Sequence, residues 1–206
     1  YKIVKTGRPK NIAVIGGGIG GMEAARVLTL RGHKVTIYEK TDRLGGVFIA
    51  AAAPEFKEKD RELIKWYEKE MKDLGIEIKF NAEVKDTTSL NADEVIVATG
   101  SKAKILKVPG AEKAIEACDY LLGRKEVGQK FIIIGGGLTG CECALLMAQK
   151  GKRVHLIEMR DGLAIDANIR HRPILLDQIE NAGIDVALNA CAQGVDSRGV
   201  TVSQDG

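Results

Sequence analysis

The sequence is short of the features that identify membrane, nucleic-acid-binding and disordered proteins. It contains no run of about 18 apolar residues, the length that a transmembrane helix requires, and no signal peptide precedes its first predicted strand. Its 31 basic and 28 acidic residues are interspersed and leave a net charge of only +3, which disfavours a nucleic-acid-binding surface. At 45% hydrophobic residues it can still bury a core. We therefore expect a soluble, cytoplasmic protein whose partners include neither nucleic acid nor a membrane.

Cysteine is also scarce, and its spacing argues against a metal site. Cys141 and Cys143 are separated by one residue at the start of a predicted helix, so their side chains lie on different faces. Small thiols in that place are expected to pack beside a turn. The three histidines, His33, His155 and His171, lack metal-ligand spacing. A chain of this length needs no disulfides to fold, so reduced thiols and no metal are expected.

The strongest feature that is present is an internal repeat. Residues 11–39 read NIAVIGGGIGGMEAARVLTLRGHKVTIYE, and residues 130–158 read KFIIIGGGLTGCECALLMAQKGKRVHLIE, displaced by 119 positions without a gap. Each copy predicts a buried strand, a Gly-rich turn, a helix and a second strand. Gly32 and Gly151 are predicted to end the two helices. The pattern predicts an α/β fold with two Rossmann-like units and parallel sheets.

A second similarity extends the repeat. Residues 75–82 read GIEIKFNA and residues 183–190 read GIDVALNA, and each segment follows a predicted helix. The second of those helices is predicted to start near Pro173, because proline is tolerated in a first helical turn. The two units therefore share more than a turn.

The glycines of each turn have separate predicted roles. The first permits a tight turn, the second lets the backbone approach a pyrophosphate, and the third lets helix and strand pack closely. The pyrophosphate would lie at the helix N-terminus, where unpaired N–H groups and the helix dipole favour negative charge. These glycines are Gly16, Gly18 and Gly21 in the first copy and Gly135, Gly137 and Gly140 in the second.

An acid follows each turn at the end of the second predicted strand. Glu39 and Glu158 both lie 23 positions after the first glycine of their turn. A carboxylate in that place can accept hydrogen bonds from ribose hydroxyls and would repel the additional phosphate of NADP. Glu158 therefore favours NADH over NADPH. Arg160 leaves the other choice open, since it could hold a 2′-phosphate.

These motifs resemble the flavoproteins with a glutathione-reductase-like arrangement, in which an NAD domain is inserted into an FAD domain. Residues 43–46 are similar to that family's loop beneath the FAD phosphates and ribityl chain. Residues 82–84 are similar to the segment that pairs with adenine, and residues 95–100 to the strand and turn that return towards FAD. Pro109-Gly110 is similar to the crossing into the NAD domain.

Within that superfamily, the chain is most similar to the C-terminal half of the NADH:flavin oxidoreductases related to 2,4-dienoyl-CoA reductase, 2-enoate reductase and trimethylamine dehydrogenase. Lys10-Asn11, the Ala-rich stretch ending at Pro54 and residues 137–142 carry this resemblance. It implies a linker over residues 1–9, the N-terminal portion of an FAD-binding domain over 10–107 and an incomplete NAD(H)-binding domain over 108–206. The predicted cofactor-binding residues are Gly16, Gly18, Ile19, Gly20, Gly21, Glu39, Lys40, Arg43, Leu44, Gly45, Gly46, Val84, Ala98, Thr99, Gly100, Gly135, Gly137, Leu138, Thr139, Gly140, Glu142 and Glu158.

The function implied is hydride transfer from NADH to FAD. Stacking the nicotinamide on the flavin needs orientation rather than an acid–base pair, so no catalytic residue is named. Glu142 lies near the nicotinamide in related proteins, or it offsets a helix dipole; both interpretations stay open. A dithiol relay is not expected, because no cysteine lies between Gly46 and Glu77.

The resemblance also predicts parts that the sequence does not contain. Related full-length enzymes carry an FMN-binding barrel and iron–sulfur ligands ahead of this region, and a C-terminal return that covers the flavin. The chain has no initiator methionine and stops at Gln204-Asp205-Gly206, in a predicted hairpin. We expect a piece of a larger enzyme that would bind FAD poorly, be inactive alone and self-associate through apolar surface.

Two other functions stay open at this point. The chain could be a module of the same fold that keeps only one nucleotide site, or a purely structural one. It could also be the NADPH-using subunit of another electron-transfer complex, such as a glutamate synthase small subunit. Bound ADP without reduction would favour the first of these, and a preference for NADPH the second.

Overall fold

The computed structural model describes residues 2–204, which form two compact α/β units. The first unit comprises the chain up to Ala52 together with Lys57–Lys102. The second comprises Ala53–Phe56 and the chain from Ala103 onward. Each is built on parallel strands joined by helices, which confirms the predicted fold class.

The first unit is built around a four-stranded parallel sheet. Its elements are β1 Asn11–Ile15, α1 Ile19–Leu30, β2 Lys34–Tyr38, α2 Phe48–Ala51, α3 Glu58–Asp73, β3 Glu77–Lys79 and β4 Glu94–Val97. The strand order is β3-β2-β1-β4. Strand β1 pairs with β2 from Asn11 opposite Lys34 to Ile15 opposite Tyr38.

The core of the first unit lies between the sheet and the apolar faces of α1 and α3. Val14 and Ile37 from the sheet meet Met22 and Met71 from the helices, and all four are fully buried. Burying side chains of this size stabilises a fold by about 1.5–3 kcal/mol each. The charged residues of α3 lie on its other side, as the mixture of lysine and glutamate predicts.

The second unit repeats this plan with one strand fewer in its parallel sheet. The elements of the second unit are α4 Ala117–Leu121, β5 Lys130–Ile134, α5 Leu138–Gln149, β6 Arg153–Ile157, α6 Arg172–Asn181, β7 Asp185–Ala187, β8 Ala190–Val195 and β9 Val200–Gln204. The order of the parallel sheet is β5-β6-β7, and an antiparallel hairpin of β8 and β9 follows.

The core of the second unit is centred on α5. Cys141, Leu156 and Leu175 are almost completely buried and pack in one cluster. Pro173 lies in the first turn of α6, as predicted. The predicted terminal hairpin is present up to Gln204, and Asp205 and Gly206 lie outside the described residues. No helix among residues 2–204 is both long and apolar enough to cross a membrane.

Candidate nucleotide-binding sites

Two glycines of the first turn are required by the backbone around them. Gly16 has a φ of +106°, a region that L side chains rarely adopt, and a Cβ there would overlap the carbonyl oxygen of Ala98. A Cβ at Gly21 would overlap the carbonyl oxygen of Gly16. These contacts match the predicted roles of a tight turn and of close packing between helix and strand.

The middle glycine, Gly18, is different, because the protein itself does not require it. Its φ of −73° suits any residue, and a Cβ there would meet no atom of the described residues within 4 Å. Gly18 is the N-cap of the 12-residue helix α1, and within the described chain no side chain caps that helix and no acid lies in its first turn. Unpaired N–H groups at an open, uncapped helix start fit a pyrophosphate.

Glu39 follows β2 directly and ties the turn to the next loop. Its side chain is only 5% exposed. One carboxylate oxygen accepts a hydrogen bond from the N–H of Gly17 at 2.7 Å, and the other accepts from the N–H and the hydroxyl of Thr41, both at 2.8 Å. The acid thus has a structural role besides the predicted contact with a ribose.

The loop of residues 43–46 closes over the same turn. The N–H of Gly45 donates to the carbonyl oxygen of Gly17 at 2.8 Å, and Gly45 forms a parallel bridge with Gly18. The buried side chain of Leu44 covers Gly17. The structure therefore brings the turn, Glu39 and most of this loop into one site.

The remaining predicted residues of the first site are less closely gathered. Arg43 forms a salt bridge with Asp42 at 2.8 Å, and both side chains are largely exposed. That salt bridge lowers the pKa of the Asp42 carboxyl, mainly through the hydrogen bond from Arg43. Ile19 and Gly20 lie in the first turn of α1. The other predicted positions are the exposed Lys40, the half-buried Val84, the exposed Thr99 and Gly100, which has a φ of +72°.

The second turn has the same geometry. Gly135 has a φ of +107°, and a Cβ at Gly140 would overlap the carbonyl oxygen of Gly135. Gly137 caps α5 with a φ of −68°, and a Cβ there would meet no described atom within 4 Å. Within the described residues α5 also has no side-chain cap and no acid in its first turn. This helix start fits a second pyrophosphate.

Glu158 holds the second turn as Glu39 holds the first. It is 8% exposed, and its two carboxylate oxygens accept from the N–H groups of Gly136 at 2.6 Å and Arg160 at 2.8 Å. The following loop closes back over the turn through the N–H of Ala164, which donates to the carbonyl oxygen of Gly136 at 2.7 Å. The buried side chain of Leu163 covers Gly136.

Glu142 has a neighbour that the sequence did not indicate. Its carboxylate lies 3.6 Å from Nε2 of His171, and its side chain is 13% exposed. Glu142 is the fifth residue of α5, beyond the first turn in which compensation of the helix dipole is largest. Leu138 and Thr139, also predicted to bind the cofactor, lie exposed at the start of that helix.

The buried cysteines are poorly suited to thiol chemistry. Burial raises the pKa of the Cys141 thiol to about 11, and burial raises that of Cys143 to about 11 as well. Both would be protonated near neutral pH and therefore weak nucleophiles. Cys141 donates to the carbonyl oxygen of Gly136 at 3.3 Å, so it packs beside the turn as predicted.

Sequence reasoning missed the residues that close each site over its turn. Thr41, Gly17 and Gly136 supply hydrogen bonds to the two acids, and Leu163 and Ala164 correspond to Leu44 and Gly45. A signal was available, because the displacement of 119 positions continues past Glu39 and aligns both leucines.

Comparison with known proteins agrees with this geometry. Residues 10–206 match the model of the family described as pyridine nucleotide-disulphide oxidoreductase. A cinnamate reductase from Clostridium sporogenes shares 44% sequence identity with the chain, over all of this chain and 32% of the relative. An NADH oxidase from Thermoanaerobacter brockii shares 35% identity, over 93% of this chain and 31% of the relative. A solved 2-naphthoyl-CoA reductase in complex with 2-naphthoyl-CoA superposes on the whole chain with a TM-score of 0.92 and 28% identity, over 32% of its length. The chain therefore spans about a third of these relatives.

Proposed function

Because this chain belongs to the pyridine nucleotide-disulphide oxidoreductase family, we propose that it is the electron-input module of a larger flavoprotein oxidoreductase. The family's domain implies binding of FAD and NAD(P)H. In this proposal FAD binds at the first Gly-rich turn and NADH at the second. The two cofactors supply the redox chemistry, in which a hydride passes from the nicotinamide to the flavin.

One observation carries the proposal: the chain contains two helix starts of the same design. At Gly18 and Gly137 the backbone is open, and within the described residues no side chain caps either helix. No described atom lies where a Cβ would stand, so packing within the protein does not require glycine at these positions. A bound pyrophosphate would require glycine there, because its oxygens approach the backbone where a side chain would stand. Two such turns in one chain support two dinucleotides rather than one.

The chain's own residues bind and orient rather than react. The carboxylates of Glu39 and Glu158 fix the two turns by accepting from the N–H groups of Gly17 and Gly136. The remaining lone pairs of these carboxylates can accept from ribose hydroxyls. Glu142 lies one helical turn after the start of α5 and two residues after Gly140, where it could position the nicotinamide end of NADH. None of these roles moves a proton.

The rest of the proposal concerns the whole protein. The similarity to a cinnamate reductase and a 2-naphthoyl-CoA reductase supports an unsaturated acid or thioester as the final substrate. We place the reduction of that substrate in a further FMN-binding barrel domain with an iron–sulfur cluster, which would be the main partner of this module. A cytoplasmic location follows from the expectation of reduced thiols and stays a prediction.

Single substitutions of the middle glycines test this assignment. In the full-length protein, Gly18→Ala should lower FAD content, and Gly137→Ala should weaken NADH binding. Forcing a methyl group against a bound pyrophosphate should cost about 1–3 kcal/mol, roughly 5- to 150-fold in affinity. The measurements are flavin content by absorbance and the dissociation constant of NADH by calorimetry.

Gly7→Ala and Gly128→Ala are matched controls, because a Cβ at either position also meets no described atom within 4 Å. Neither should change nucleotide binding. Unchanged NADH affinity in Gly137→Ala would contradict the second site. ADP that is bound but never reduced would favour a module with a structural nucleotide, and preference for NADPH would favour a subunit like that of glutamate synthase.

A further inference from the structure

Arg160 is the cation closest in sequence to the acid of the second site. Its N–H donates to Glu158 at 2.8 Å, so its backbone adjoins the carboxylate that would meet the ribose. A guanidinium in this place could pair with a 2′-phosphate, because its planar donors match phosphate oxygens. The side chain, however, is engaged elsewhere.

The guanidinium of Arg160 is paired with Asp166. Nη1 of Arg160 lies 3.1 Å from Oδ2 of Asp166, within the same loop of the second unit. The two side chains are 56% and 87% exposed. The pair is therefore solvated and weak, yet it directs the arginine to a carboxylate.

We propose that Asp166 is a specificity-determining residue that disfavours nucleotides with a 2′-phosphate. This inference rests on the proposed binding of NADH at the second turn. Asp166 acts through Arg160, because it competes with the phosphate for the guanidinium. Glu158 would then not be the only source of the preference for NADH.

The first unit also contains an arginine–aspartate pair in the loop after its acid, although Arg160 itself aligns with Thr41. There Arg43 follows the acid Glu39 and is paired with Asp42 through two nitrogens, at 2.8 and 3.2 Å. In each unit an arginine near the ribose-binding acid is neutralised by an aspartate of the same loop. The aspartate is adjacent in sequence in the first unit and six residues away in the second.

The test compares binding of NADP⁺ and NAD⁺ to the full-length protein by calorimetry, together with the rates of flavin reduction by NADPH and NADH. Asp166→Asn removes the charge with little change of shape. We expect the affinity for NADP⁺ relative to NAD⁺ to rise about two- to five-fold, the range of an exposed ion pair. The gain should disappear at about 1 M salt, where the Debye length is about 3 Å.

Two further variants separate the ion pair from net charge. Asp161→Asn removes the same charge from the same loop and should leave the ratio unchanged. In an Arg160→Gln background, Asp166→Asn should have a smaller effect, because no guanidinium is left to release. An unchanged ratio in Asp166→Asn, or an equal change in Asp161→Asn, would overturn the inference.

The outcomes also separate this inference from the proposed function. If the wild-type protein reduces its flavin with NADH while Asp166→Asn keeps the same NADP⁺ to NAD⁺ ratio, only the role of Asp166 is wrong. If the wild-type protein binds neither nucleotide, both the proposed function and the role of Asp166 are wrong.

Discussion

Residues 119 positions apart make the same backbone contacts around the two Gly-rich turns. Gly16 and Gly135 have φ values of +106° and +107°. The N–H of the next glycine donates to the following acid at 2.7 Å in the first unit and 2.6 Å in the second. The loop after the acid then donates to that glycine's carbonyl oxygen at 2.8 and 2.7 Å. The turn, the acid and the loop are therefore joined by the same hydrogen bonds in each of the two units.

The side chains around this common backbone differ. Thr41 donates its hydroxyl as well as its N–H to Glu39, whereas Arg160 donates only its N–H to Glu158. Glu158 thus accepts fewer protein hydrogen bonds than Glu39. The backbone around the turn is therefore common to both units, whereas the residues just after the acid differ, and under the proposed function those residues would select the nucleotide.

The largest effect is expected at the third glycine, where the two units should respond alike. Gly21→Ala and Gly140→Ala each place a Cβ against a carbonyl oxygen of the turn. The backbone of strand and helix cannot easily separate, so we expect a loss of about 3 kcal/mol in the free energy of unfolding, the upper end of the usual cost of overpacking. Urea denaturation measures it.

Gly20→Ala is the control for this pair. It lies in the same helix, and a Cβ there meets no described atom within 4 Å. Alanine is favoured over glycine in a helix by about 1 kcal/mol, so the variant should be neutral or more stable. A tolerated Gly140→Ala beside a damaging Gly21→Ala would show that the two turns are not equivalent.

A smaller effect, and a difference between units, is expected at the acids. Glu158→Ala should weaken NADH binding by about 1–3 kcal/mol, the scale for leaving hydrogen-bonding partners unpaired. It should also lower the stability of the second unit, since two N–H groups lose their acceptor. Glu39→Ala removes three protein hydrogen bonds and should cost more stability.

Glutamine variants separate the two roles of each acid. Glu158→Gln keeps one oxygen acceptor and should recover part of the stability lost in Glu158→Ala. The free energy of NADH binding, measured by calorimetry, and the free energy of unfolding, measured by urea denaturation, should therefore change by different proportions. If Glu158→Ala left NADH affinity unchanged, the ribose contact would be wrong, whatever the effect on stability.

The sequence predicted the parts of this site that depend on local pattern. The strands, the turns and the positions of Glu39 and Glu158 follow from apolar runs and glycine spacing, and the structure has each acid directly after its strand. The loops could not be derived in this way, because their closure depends on backbone hydrogen bonds across 28 residues, as between Gly45 and Gly17. Such contacts leave no local hydrophobic pattern, and only the repeat at 119 positions, which aligns Leu44 with Leu163, indicates them.

The pair of Glu142 and His171 shows the same limit. The two side chains come from different elements and meet only because the loop after β6 folds back to start α6 near α5. Glu142 aligns with Glu23 of the first unit, but His171 aligns with Ala52, and Glu23 pairs with Arg26 within α1 instead. Tertiary packing, rather than a motif, creates the contact.

The smallest effect is expected where the two loops differ in one methyl group. Gly45 has a φ of +107°, and its counterpart Ala164 has a φ of +47°, a left-handed conformation that costs an alanine roughly 1–2 kcal/mol. Ala164→Gly relieves that strain but loses a buried methyl and adds chain entropy to the unfolded state, together about 1–2 kcal/mol. We therefore expect a net change in the free energy of unfolding within about 1 kcal/mol.

The reverse variant, Gly45→Ala, gains the strain and places its Cβ 2.8 Å from the side chain of Ile49, so it should be clearly destabilised. Urea denaturation of both variants would test this asymmetry, and a large loss in Ala164→Gly would mean that the methyl group, rather than the backbone, holds the second loop closed.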